Sequence, residues 1–103
     1  KFFLHISPEE QLERFRARLD DPSKHWKFSL EDLEKRKFWS DYMAAYEEML
    51  HQCTTPYAPW HVIPANQKWY RNLTITRTIV HTLKQMDPQY PPPADDLSSV
   101  VIN

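Results

Sequence analysis

Phe2-Phe3-Leu4-His5-Ile6, followed at once by Ser7-Pro8-Glu9-Glu10, is the stretch that decides the fold. Its first part is a nearly continuous apolar run, too short for a helix, and reads as a buried strand. Ser7 then supplies an N-cap hydroxyl, Pro8 a preset φ at the first helical position, and Glu10 the acidic residue three beyond the cap. A helix must start here. Leu12, Phe15 and Leu19 fall on one of its faces and Arg14 and Arg18, four apart, on another, until Asp20-Asp21-Pro22 ends it.

Working outward, Ser29-Leu30-Glu31-Asp32 repeats the capping pattern and opens a longer helix predicted to run to about Leu50, with an apolar stripe from Leu33 through Trp39, Met43 and Tyr46. Two prolines, Pro56 and Pro59, keep the following segment non-helical. Trp60-His61-Val62-Ile63 reads as a second short strand ended by Pro64, and Asn66 as the cap of a third helix reaching about Met86, with Trp69, Leu73, Thr76, Val80 and Leu83 on one face. From Asp87 the chain is proline-rich and is expected to be an extended tail over residues 87–103, packing through Leu97, Val100, Val101 and Ile102. The order is strand, helix, helix, strand, helix, which defines an α/β fold with a parallel sheet and mostly helical content. Two strands alone cannot build a parallel sheet covered on both faces, so residues 1–103 are expected to be the C-terminal fragment of a single larger domain.

The chain has 103 residues and a formal charge of -1, a balance that favours neither nucleic acid nor a membrane surface as partner. Its hydrophobic content of 41% and its four Trp exclude a disordered chain. Average usage would give about seven glycines, yet the chain contains none. Loops that cradle phosphate need glycine so that successive N–H groups can close around an anion, so neither a Walker A loop nor a dinucleotide fingerprint lies here. Phosphate, if handled, is handled by side chains. No apolar run is long enough for a transmembrane helix, no secretory leader is visible, and the lone Cys53 has no disulfide partner, which makes a cytoplasmic setting the expectation.

The near-neutral total conceals two basic zones. Residues 14–37 hold Arg14, Arg16, Arg18, Lys24, Lys27, Lys35, Arg36 and Lys37 against five acids, a surplus of three. Residues 65–86 hold Lys68, Arg71, Arg77 and Lys84 with no acid at all. Such runs commonly mark solvated faces. Five histidines and Cys53 show one close pair, His51 and Cys53, and no second pair to complete a metal pattern, so no metal ligand is expected in this chain. Asn72-Leu73-Thr74 matches a glycosylation acceptor but falls in mid-helix. Of the four Trp, only Trp26, in the basic stretch between helices, is a candidate for stacking on a base.

The charge pattern gains meaning from a resemblance. Phe3-Leu4-His5-Ile6-Ser7 with Glu9-Glu10-Gln11 and Arg14-Phe15, then Asp21-Pro22, Trp26-Lys27-Phe28-Ser29, Trp39-Ser40-Asp41-Tyr42 and Ala45, then Ala58-Pro59-Trp60, Val62-Ile63-Pro64-Ala65, Lys68-Trp69 and Asp87-Pro88-Gln89-Tyr90-Pro91, together resemble the C-terminal part of the polyphosphate kinase 2 family. These motifs occur in order over nearly the whole chain.

The resemblance implies a P-loop kinase-like fold and phosphoryl transfer between inorganic polyphosphate and a nucleoside mono- or diphosphate, with Mg2+ bound by residues outside this chain. The Walker A and Walker B motifs of the family lie before the matching segment, so the chain alone is expected to be inactive. It implies further that about residues 14–50 form a basic lid, 60–64 the last strand and 66–86 the C-terminal helix. Arg14 and Arg18 become the expected catalytic pair, with Lys24, Lys27, Arg36, Lys68 and Arg71 binding polyphosphate or nucleotide. A homo-oligomer is expected, because an uncovered sheet edge invites pairing. The alternative is a non-catalytic helical module that binds anions or a partner.

Overall fold

The computed structural model describes residues 1–103. Strand β1 (Phe2–His5) leads into helix α1 (Pro8–Leu19), a six-residue 3-10 segment (Pro22–Lys27), helices α2 (Leu30–Arg36) and α3 (Trp39–Cys53), strand β2 (His61–Pro64) and helix α4 (Lys68–Met86). β1 and β2 pair in parallel, Phe2 opposite His61 and His5 opposite Pro64. The expected α/β order and parallel pairing are both present. Ser7 caps α1 as its sequence requires, its Oγ accepting from the Glu10 N–H at 3.1 Å.

Three expectations need correction. The helix predicted from Ser29 to about Leu50 is two helices, because the Lys37 N–H turns back to the Glu34 and Lys35 carbonyls and Phe38 leaves helical geometry with ψ 25°. Different anchors hold the two pieces: Arg36 bonds to the start of α1, whereas Tyr46 packs on Phe3 of β1 with ring centroids 4.8 Å apart. Ser29 occupies the cap position of α2 without a side-chain bond. Asn66 does not cap α4; Gln67 precedes that helix, and the Asn66 carboxamide instead accepts from the Ser7 N–H at 2.9 Å. The tail does not pack: Leu97, Val100, Val101 and Ile102 are 59–93% exposed. Asp87, at φ 43° the only residue in the left-handed region, turns the chain out of α4, and the prolines that follow keep it extended.

Only Phe15, Ile63 and Ala65 are buried, and the radius of gyration is 22.2 Å. A closed domain of this length would have about 13 Å. The two-stranded sheet and the α4 stripe of Trp69, Leu73, Val80 and Leu83 stay open to solvent. No helix is long and apolar enough to cross a membrane.

The bond from the Glu10 N–H to Ser7 Oγ lies within α1 and its cap. A peptide spanning residues 5–21 should lose helix content on Ser7→Ala by an amount equivalent to about 1 kcal/mol, read by far-UV circular dichroism in the cold. Unchanged ellipticity would show that the cap is not engaged.

Candidate functional site

β1, α1, α2 and α3 enclose one concavity of about 460 Å³. Its floor is apolar, made by Phe3, Ile6 and Phe15, and Trp39, Tyr42 and Tyr46 form one wall. Its polar rim is cationic: Arg14, Arg18, Lys35 and Arg36 face it, with Asp32 as the single acid. Helical spacing explains the arrangement, since Arg14 and Arg18 are one turn apart on α1, and Asp32, Lys35 and Arg36 lie within one turn of α2.

The cations differ in what they already hold. Arg14 donates from Nε to Glu10 at 2.9 Å and from Nη2 to the carbonyls of Ala65 and Asn66 at 2.8 and 3.2 Å. Arg36 donates to the Pro8 carbonyl at 2.7 Å and to Gln11 Oε1 at 2.9 Å, tying α2 to the first turn of α1. Lys35 pairs with Glu31 at 3.2 Å, and that bond raises its pKa above the ordinary lysine value. Arg18 is different. It forms no ion pair, is half-buried, and lies with its guanidinium carbon 5.6 Å from the Phe15 ring centroid.

Of the seven residues expected from sequence, the concavity therefore gathers Arg14, Arg18 and Arg36 and leaves out the rest. Lys24 is held by Asp21 at 2.7 Å on the 3-10 segment, and Lys27 lies over the exposed Trp26 ring at 4.9 Å, both outside the concavity. Lys68 and Arg71 sit in the first turn of α4, Arg71 bonded to its neighbour Asn72. Beside them a second, more open cleft of about 330 Å³ runs along the carboxyl ends of both strands, lined by His5, Ser7, Asn66 and Tyr70. Sequence reasoning missed Lys35 and Gln11 as site residues. The register of α2 against α1 selects them, and helical period within either element does not reveal it. No three His, Cys, Asp or Glu side chains converge to hold a metal ion, so the residues present do not form a site for Mg2+.

A strand-to-helix α/β unit with a basic concavity beside its parallel strands matches one family model. Residues 1–91 fit polyphosphate kinase 2 (PPK2), and the chain belongs to that family. It is 49% identical over 102 residues, 99% of its length, to the AMP/ADP-polyphosphate phosphotransferase of Meiothermus ruber, and 45% identical over 91 residues to the ADP-polyphosphate phosphotransferase of Rhodopseudomonas palustris. The crystal structure of polyphosphate kinase 2 from Arthrobacter aurescens TC1 superposes with a TM-score of 0.87 at 43% identity over 96% of the chain. The chain spans 38%, 32% and 36% of these proteins.

Away from the concavity, Asp21 caps the 3-10 segment by accepting from the Ser23 N–H and pairing with Lys24. The bonds from Lys24 and Ser23 lower its pKa from 3.8 to about 2. A depressed carboxylate pKa means that the cap contributes above the ordinary Asp range and is lost as pH falls through about 2. The Asp21 carboxyl should therefore titrate near 2 when followed by carbon-13 NMR, and Lys24→Ala should return it toward 3.8.

Proposed function

We propose that this chain is the lid and C-terminal part of a polyphosphate-dependent nucleotide phosphotransferase. The observation that carries the reading is the cationic concavity with an unpaired Arg18, found in a chain of the PPK2 family. In such a transfer the terminal anhydride P–O bond of polyphosphate breaks as a terminal phosphate oxygen of the nucleotide bonds to the same phosphorus. The leaving group is polyphosphate shorter by one unit. Charge spreads over the transferred oxygens, and catalysis is mainly positioning and electrostatic stabilisation.

Arg18 is suited to that work because its guanidinium is uncommitted and rests against an aromatic ring, which lowers the effective dielectric around it. Lys35 adds a point charge from the facing helix. Arg14 and Arg36 shape the rim, while Lys27, on the outer turn, and Lys68 and Arg71, on α4, add positive charge beyond the concavity for a longer polyanion, Lys24 being paired with Asp21. Any Mg2+ would be held by residues of the whole enzyme outside this chain, and the complementary apolar surface that β1, β2 and α4 require belongs there too. Nucleoside mono- and diphosphates are the acceptor class, an inference from the name of the Meiothermus ruber relative. Homo-oligomeric assembly and a cytoplasmic location complete the reading.

A hybrid in which residues 1–103 replace the matching segment of the Meiothermus ruber phosphotransferase tests it. The hybrid should form ATP from polyphosphate with AMP or ADP, and Arg18→Ala should lower kcat/KM for polyphosphate about 10²-fold. A folded, monodisperse hybrid that transfers nothing, or an Arg18→Ala variant as active as its parent, sinks the proposal.

A further inference from the structure

Arg14 and Arg18 sit one turn apart on the same side of α1, yet only Arg18 keeps a whole guanidinium edge free for a ligand. Both bidentate edges of a guanidinium, Nε with Nη2 and Nη1 with Nη2, draw on Nη2. In Arg14 that nitrogen already donates to Ala65 O and Asn66 O, and Nε to Glu10. No fork remains for phosphate, and the Glu10 carboxylate cancels the charge that would attract one. One acceptor belongs to the small core, Ala65 being 1% exposed and Ile63, two residues earlier, 2%, whereas Asn66 is exposed.

The bonds continue into a closed ring. Asn66 Oδ1 accepts from the Ser7 N–H at 2.9 Å, its Nδ2 approaches Ser7 Oγ at 3.3 Å, and that hydroxyl accepts from the Glu10 N–H at 3.1 Å. Glu10 returns the path to Arg14 at 2.9 Å. The loop after β1 and the loop after β2 are thus joined at the carboxyl ends of the parallel strands, with the Ala65 N–H also bonded to His5 O at 2.8 Å.

We infer that Arg14 is a positioning residue and not a phosphate ligand: it pins the β2–α4 loop to α1 and so fixes where Arg18 stands relative to both strand ends. The inference rests on the phosphotransfer reading, since what is positioned is the charge of Arg18. A ligand arginine and a positioning arginine fail differently. Removing a ligand weakens polyphosphate binding, whereas removing a clamp displaces a group that still binds and stabilises less well where charge develops.

In the active hybrid, Arg14→Ala should lower kcat about tenfold or more while KM for polyphosphate stays within about threefold. Amide hydrogen exchange should quicken at residues 65–68. Arg14→Lys should not rescue kcat, because a single ammonium nitrogen cannot occupy both positions, Nε and Nη2, from which Arg14 reaches the carboxylate and the two carbonyls. Glu10→Gln, a milder change, should move kcat and exchange in the same direction by less. The inference is overturned if Arg14→Ala raises KM for polyphosphate about tenfold and Arg14→Lys restores it, which is ligand behaviour. It is equally overturned if kcat and KM hold while only the melting temperature falls. Absence of transfer in the unsubstituted hybrid would instead reject the phosphotransfer reading, and unchanged exchange at 65–68 in Arg14→Ala would then still dispose of the ring.

Discussion

Parallel pairing of two four-residue strands, sealed at their carboxyl ends by the Arg14, Glu10, Ser7 and Asn66 ring, is the constraint on which the rest of this structure depends. Each backbone bond between the strands adds little alone. Placing α1 and α4 on neighbouring strand ends is what brings the start of one helix beside the start of the other. The elements between the strands are attached more lightly, through Arg36 to Pro8 and Gln11 and through Tyr46 to Phe3. α2 and α3 thus form an arm that hangs from the strand pair and α1 through side-chain contacts.

Electrostatics follows from that layout more than from the count of charges. Arg16 with Glu13, Lys24 with Asp21, Lys35 with Glu31 and Lys37 with Glu34 pair within single helices, and such exposed pairs contribute little to stability. They do decide which cations are left to act at a distance. Among the cations of the concavity, Arg18 alone is bonded to neither a carboxylate nor a carbonyl.

Much of this was legible in the residues. The Ser7-Pro8-Glu9-Glu10 junction, the apolar runs at Phe2–Ile6 and Trp60–Ile63 and the stripe ending near Met86 predict four elements, β1, α1, β2 and α4, in the order observed, because capping chemistry and apolar periodicity are local properties. The break at Lys37 and Phe38 was not legible. No proline or glycine marks it, and it arises because Arg36 and Tyr46 anchor to different places. The double use of Asn66 was hidden for the same reason: its partner Ser7 is 59 residues away. Arg14 and Arg18 look equivalent on a helical wheel, and only the arrival of Ala65 and Asn66 beside one of them separates their roles.

The arm enters and leaves through the two ends of one strand pair, which makes it a long excursion closed on a fixed staple. Closure entropy grows only with the logarithm of contour length, so doubling such an excursion costs about 0.6 kcal/mol. Lengthening or shortening it between α2 and α3 leaves the sheet register untouched. The span between the two strands can therefore be resized without disturbing the pairing beneath it.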